Sequence, residues 1–208
     1  MSREDQQRKG IAISLYDKIE DLEILVDIIR RNFEDSYYIV VCTENFQVKE
    51  EIEKLDIDEI VEPSGIDYDP SECNPDKARI ERISRVLESL KRTCKACIEE
   101  GCDYVMHLHA DAWPLNERKF RQIIEGMEER DKKAAFRGPG LAYQTKSSIG
   151  HLMDQFFVID ANYFGQIGFF EFDSLEMMPH GGVHNSLMLL ILGRLGRSNC
   201  WIYSDMSS

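Results

Sequence analysis

The segment Asp103-Tyr-Val-Met-His107-Leu-His109-Ala-Asp111-Ala-Trp-Pro114 concentrates side chains able to hold a cation. Side chains alternate along a strand, so His107, His109 and Asp111 project to one side if strand geometry persists to Asp111. Tyr104, Met106 and Leu108 project to the other. Imidazole suits zinc or manganese, and a carboxylate suits magnesium or manganese. Pro114 stops the strand, and Asn116 can cap a following helix. The carboxyl ends of strands are where open α/β sheets bind ligands.

The flanking pattern supplies the elements that must position this segment. Ile11 to Tyr16 reads as a strand, followed by an amphipathic helix over Asp17 to Phe33 with Ile19, Leu22, Leu25, Val26 and Ile29 at helical spacing. Tyr37 to Cys42 is a second strand, Asn45 to Leu55 a charged helix, and Ile57 to Val61 a third strand. A loop rich in Pro, Gly, Asp and Ser runs from Glu62 to Asp76, long enough to suggest a function. A long helix from about Pro75 to Gly101 leads into the strand at 103–109. A helix from Asn116 to about Arg130 and a strand at Ala134 to Arg137 follow. This alternation predicts a mostly parallel sheet with helices on both faces. After Arg137 come a loop containing Gly138-Pro-Gly140, a strand from Asp154 to Asp160, an irregular stretch from Glu171 to Gly182, an apolar helix from Val183 to Leu195 and a short strand at Cys200 to Tyr203.

The 208 residues suit one domain, over 10–208, behind a flexible arm at 1–9. A formal charge of −13 and the lack of a long Lys/Arg block argue against a nucleic-acid partner. The polar start MSREDQQRKG carries no secretory pattern, and no apolar run reaches the ~20 residues of a membrane span. A cytoplasmic protein is expected. Cys94-Lys-Ala-Cys97 matches a CxxC pattern, but both cysteines continue the apolar stripe of Ile80, Ile83, Leu87 and Leu90, which makes them core residues.

The order of elements, with His109-Ala110-Asp111 ending the strand after the long helix, resembles the GT-A fold glycosyltransferases, with family 2-like proportions. The resemblance covers about residues 10–204. It implies a nucleotide-sugar-binding half at 10–137, an acceptor half at 138–208, and a Mn²⁺ or Mg²⁺ ion. That cation would be held by Asp111 and would stabilise the nucleotide diphosphate that leaves. His109 stands where the family's Asp-x-Asp motif has its first acid, so it either joins the cation or touches the donor. Tyr16 and Asp17, at the end of the first strand, correspond to nucleoside contacts, although Asp17 also suits a helix cap. Glu44, in Thr43-Glu-Asn45, is what remains of the family's consecutive acids. Arg79 and Arg82, with Lys77 nearby, correspond to diphosphate partners at the start of the long helix. His184 and Asp154 are candidates for the general base. His184 or His180 could instead complete a metal shell, and Glu171, Asp173 and Glu176 are in range by topology. The acceptor, a glycan, lipid-linked sugar or protein, is open, as is the oligomeric state.

Two other enzyme classes compete. His107-x-His109-x-Asp111 is similar to the start of the HxHxD zinc motif of metallo-β-lactamase-type hydrolases, but Ala112 stands where that motif continues with His. A nucleotidyltransferase shares the α/β scaffold but would carry a Gly-rich loop after the first strand, where this chain has Ser14-Leu-Tyr-Asp-Lys18. A GT-A-like binding module without activity is the third alternative.

Overall fold

Among the described residues, seven strands hydrogen-bond into one sheet in the order β3-β2-β1-β4-β6-β5-β7. They are β1 (Lys9–Leu15), β2 (Tyr37–Thr43), β3 (Glu59–Val61), β4 (Tyr104–His109), β5 (Ala134–Arg137), β6 (Phe156–Asp160) and β7 (Cys200–Tyr203). The helices are α1 (Ile19–Asn32), α2 (Lys49–Ile52), α3 (Pro75–Glu99), α4 (Arg118–Glu129), α5 (Ala161–Gln166), α6 (Ser174–Met177) and α7 (Val183–Leu190). This computed structural model describes residues 7–15, 17–62, 64–66, 75–114, 116–137, 156–177 and 183–203, with side chains left undescribed at 46, 75, 76, 78, 79, 184 and 185. The expected glycine-rich loop after Arg137 and most of the loop at 62–76 lie outside the described residues.

β1 is central. It pairs in parallel with β2 on one side and with β4 on the other, in the registers Ile11↔Ile39 and Ile11↔Met106. Only β6 runs against the rest, pairing antiparallel with both β4 and β5. The sheet is therefore mostly parallel, as the alternating pattern predicts.

Side-chain alternation splits the interior into two cores. Ile11, Ile13, Ile39, Val41, Met106 and Leu108 pack with Leu22, Leu25 and Ile29 of α1 and Phe120, Ile123 and Met127 of α4. Ala12, Val40, Val105 and Phe157 face the opposite way, onto Leu87, Leu90, Cys94 and Cys97 of α3. Both CxxC cysteines are fully buried in this second core. Strands buried on both faces read as continuous apolar runs, which is the pattern of β1, β2 and β4.

α3 ends in a two-bond turn. Cys102 N donates to Cys97 O at 3.1 Å and Gly101 N to Ile98 O at 3.0 Å, with Gly101 at φ +81°. This pairing satisfies the last carbonyls of the helix and requires a left-handed residue, hence glycine. It turns the chain straight into β4. At the other end of that contact, a Cβ on Gly10 would lie 2.9 Å from Cys97 Sγ, so the bare backbone of β1 lets α3 approach.

Several expectations change. The charged helix expected over Asn45 to Leu55 is a short 3-10 turn, Phe46–Val48, and the single turn of α2. The arm expected to be flexible over 1–9 is tied down from Gln7. Gln7 Nε2 donates to Glu128 at 2.8 Å, Arg8 N donates to Asp103 Oδ2 at 2.8 Å, and Lys9 already belongs to β1. The helix expected over Val183 to Leu195 changes at Ile191 into a π-helical turn that ends at Leu195. α5 is an addition: Asp160 ends β6 and its Oδ1 accepts from Tyr163 N at 2.9 Å, capping a helix that short-range apolar spacing does not announce.

Candidate functional site

The chain folds outward from β1, to β2 and β3 on one side and then to β4 on the other, so the crevice outside the carboxyl ends of β1 and β4 is a topological switch point. A cavity of about 290 Å³ occupies that position, on the α3 face of the sheet. Ser14 and Leu15 line it from the end of β1, Glu44 from just after β2, and His109 from the end of β4. Arg82, Arg85, Val86 and Ser89 close it from α3.

Strand geometry carries His107 and His109 onto this face but stops before Asp111. Ala110 and Asp111 lie in a turn in which Ala112 N donates to His109 O at 2.9 Å. The alternation expected to reach Asp111 therefore ends at His109. His107 is fully buried, its Nε2 hydrogen-bonds Ser14 Oγ at 3.0 Å, and its ring stacks on Phe157 at 4.8 Å. It is a packing residue that holds Ser14 at the cavity wall. With His107 so committed, the three residues of the HxHxD pattern do not converge, and among the described residues no three His, Cys, Asp or Glu side chains cluster to hold a metal.

Asp111, two residues beyond His109, is about half exposed, and Lys18 Nζ donates to its Oδ2 at 2.6 Å. The Lys18 ammonium, opposed by partial burial and helped by His109, holds the Asp111 carboxyl below the usual range. Asp111 is therefore ionised at neutral pH. Lys18, just after β1, was not among the residues singled out from sequence. An ion pair spanning 93 positions leaves no local signal.

Glu44 is buried and already engaged. Its Oε1 accepts from Ser64 N at 2.8 Å and its Oε2 from Ser64 Oγ at 2.6 Å. Arg85 Nε lies 3.5 Å from Oε2, and Arg85 Nη2 also donates to the Glu44 carbonyl. Glu44 thus shapes the cavity wall through internal bonds. Arg85, one turn beyond Arg82, was missed because charged positions repeat on several faces of α3. The sequence pattern alone does not say which face looks at the strands.

Asp17 is exposed and its backbone carbonyl, not its side chain, accepts from Ile19 N at 2.9 Å. The residue before α1 is Lys18, which makes no side-chain cap. Tyr16, Asp154 and His180 lie outside the described residues. Arg79 and His184 lie in α3 and α7, with side chains outside the description. Of the late acids, Glu171 pairs with Lys95 at 2.6 Å and Asp173 caps α6 through Leu175 N at 2.8 Å. Both are structurally occupied.

A second cavity, of about 310 Å³, opens on the other face of the sheet. Trp113, Phe120, Phe156 and Tyr203 give it aromatic walls, with Lys119 and Arg137 at its edge. Among the described residues, no helix is long and apolar enough to cross a membrane.

The one carboxylate and one imidazole offered at the β4 end fit a hard divalent cation of a particular kind. Mg²⁺ in nucleotide sites takes one or two carboxylates and completes its shell with substrate phosphates and water. Asp111 meets that requirement, with His109 beside it.

No protein-family model matches the sequence, and no curated protein does. Solved structures do match. The TarS protein of Staphylococcus aureus (residues 1–349), in complex with UDP-GlcNAc, superimposes with a TM-score of 0.57 over 97% of this chain and 57% of its own, at 8% identity. The mannosyltransferase PcManGT of Pyrobaculum calidifontis, in complex with GDP-Man and Mn²⁺, gives 0.57 over 97% and 56%, at 10% identity. A cytidylyltransferase from Leptospira borgpetersenii gives 0.57 over 97% and 77%, at 9% identity. The chain thus spans a little over half the length of the first two. At these identities the likeness is one of fold: the chain adopts the GT-A-like fold of nucleotide-diphospho-sugar transferases.

Proposed function

We propose that this chain is a glycosyltransferase that moves a sugar from a nucleotide-diphosphate donor to an acceptor hydroxyl. The observation that carries this reading is the cavity at the ends of β1 and β4. It is lined by Arg82 and Arg85, with the Lys18–Asp111 pair in the segments just after β1 and β4, in a protein whose net charge is −13. Two arginines lining one crevice of an acidic protein suit a ligand with concentrated negative charge.

In this reading Arg82, and Arg79 one turn before it, bind the diphosphate. Tyr16 and Asp17 contact the nucleoside, while Glu44 fixes the wall against which the base rests. Asp111, with His109 beside it, holds a Mn²⁺ or Mg²⁺ ion. The ion, when bound, neutralises charge on the leaving diphosphate. The acceptor oxygen forms its bond to the anomeric carbon as the carbon–oxygen bond to the diphosphate breaks. Asp154 or His184 takes the acceptor proton, and the nucleoside diphosphate leaves with the electron pair.

A panel of UDP- and GDP-sugars, scored by thermal shift with and without Mn²⁺, tests the donor assignment. At least one should raise the melting temperature, because a ligand that binds only the folded state stabilises it. Asp111→Ala should remove the metal-dependent part of that shift without unfolding the protein. A flat response to the whole panel would sink the reading. Binding without turnover of any donor would leave the binding-module alternative.

The likeness to a cytidylyltransferase, over 77% of that chain, favours a nucleotidyltransferase as the second reading. Incubation with nucleoside triphosphate and a sugar phosphate separates the two, since only a nucleotidyltransferase releases pyrophosphate.

A further inference from the structure

The Lys18–Asp111 pair joins the β1–α1 connection to the turn after β4, next to the strand ends that carry Ser14, Leu15 and His109 to the cavity. The contact is short, 2.6 Å, and both side chains remain about half exposed. Lys18 is also under the influence of the Asp111, Asp21 and Asp17 carboxylates, so its ammonium sits in an acidic neighbourhood. Among the described residues, no group of three His, Cys, Asp or Glu side chains surrounds Asp111 to hold a metal. A divalent cation bound at Asp111 would share that carboxylate with Lys18, whose ammonium already sits on Oδ2. It would also stand within a few ångströms of a like charge, and like charges at that range repel even through water.

We propose that Lys18 is a built-in competitor for the cation at Asp111: ammonium and divalent metal exclude one another there, so that Lys18 sets the protein's metal affinity. This rests on the reading of Asp111 as the metal carboxylate. It also assigns the displaced ammonium a destination. A donor diphosphate in the crevice accepts Lys18 as the metal takes its place, so metal and diphosphate favour each other's binding. Such mutual exclusion is a coupling between two ligands of one group, and couplings of this type change affinity by about 5- to 150-fold. Partial exposure of the pair places this one at the low end.

The test is a titration of the purified chain with Mn²⁺ alone, without nucleotide, following free Mn²⁺ by its electron paramagnetic resonance signal. Lys18→Met should bind Mn²⁺ about fivefold more tightly than the unaltered chain, and Lys18→Arg should stay near the unaltered value. Asp111→Asn, alone or combined with Lys18→Met, should abolish binding, with circular dichroism confirming that each variant is folded. Equal or weaker Mn²⁺ binding by Lys18→Met, with Asp111→Asn still abolishing it, overturns the competition and leaves Asp111 as a metal ligand. Binding that survives Asp111→Asn overturns the metal reading of Asp111 and the competition with it. Lack of Mn²⁺ binding by Lys18→Met at millimolar concentration overturns both.

Discussion

Arg85 grips Glu44 twice, through the backbone carbonyl and, at 3.5 Å, through the carboxylate, and so joins α3 to the segment that follows β2. Ser64 completes the junction from beyond β3. Both charged side chains are almost wholly buried, at 12% and 5% exposure. Removing one partner of such a pair strands the other, at a cost of about 3–5 kcal/mol. Arg85→Ala should therefore lower the melting temperature by roughly 6–20 °C, taking about 2–4 °C per kcal/mol for a chain of this size. It should also weaken nucleotide binding beyond what a neutral surface substitution does. A melting temperature within 2 °C of the unaltered protein would show that the junction carries little stability.

The close approach of α3 to β1 makes a sharper steric prediction. A Cβ at Gly10 would meet Cys97 Sγ at 2.9 Å and Cys102 Sγ at 3.0 Å, both deep in the core. Gly10→Ala should destabilise the fold by about 1–3 kcal/mol, the range for overpacking a filled interior. Denaturant unfolding measures it. Cys102→Ala in the same chain should recover part of the loss by removing one of the two sulfurs, and an additive double variant would count against this steric account.

Burial pushes the Cys42 thiol up to about 12, with the nearby Glu44 adding to the effect and a Ser89 hydrogen bond opposing it. The folded-state value lies above the unfolded value of about 8.5, so the folded chain holds the proton more tightly. The associated stability is complete below pH ~8.5 and is lost as pH rises toward 12. Urea midpoints should hold steady from pH 7 to 8 and then fall. Cys42→Ala should make that alkaline decline shallower; an unchanged slope would assign it to other groups. Burial also raises the Tyr37 and Tyr104 hydroxyls, which add to the same trend.

Trp113 provides an optical report on the site. It lies two residues past Asp111, is 43% exposed, and donates its indole N–H to Ala110 O at 3.2 Å, across the same turn. Donor binding at Asp111 should alter its emission, whereas Trp201 packs under Arg130 on β7 and should remain constant. Trp113→Phe should therefore erase the nucleotide-induced change and leave the thermal shift in place. A response that persists in Trp113→Phe would place the change elsewhere.

Much of the architecture is legible in the chain. The 3.6-residue spacing of Leu22, Leu25, Val26 and Ile29 marks α1, and those four residues are its buried face. The apolar runs of β1, β2 and β4 mark strands buried on both sides. The antiparallel course of β6 was not legible, because Phe-Phe-Val-Ile reads the same whichever way the strand runs. The site divides in the same manner. His109 at the cavity and His107 in the core follow from strand alternation and burial. Asp111's pairing with Lys18, and Glu44's commitment to Ser64 and Arg85, depend on loops meeting across long stretches of chain. No local pattern encodes such meetings.

The central position of β1 has a consequence for how the chain is made. Lys9 finds Tyr37 early but its second neighbour, Tyr104, only after α3 has been synthesised. Until then one edge of β1 presents unpaired backbone between apolar side chains, a template for wrong pairing. Nascent or truncated chains that stop short of β4 should therefore be prone to self-association, and long-range closure of this kind slows folding. The strand whose end lines the cavity is thus also the one on which the first half of the polypeptide waits.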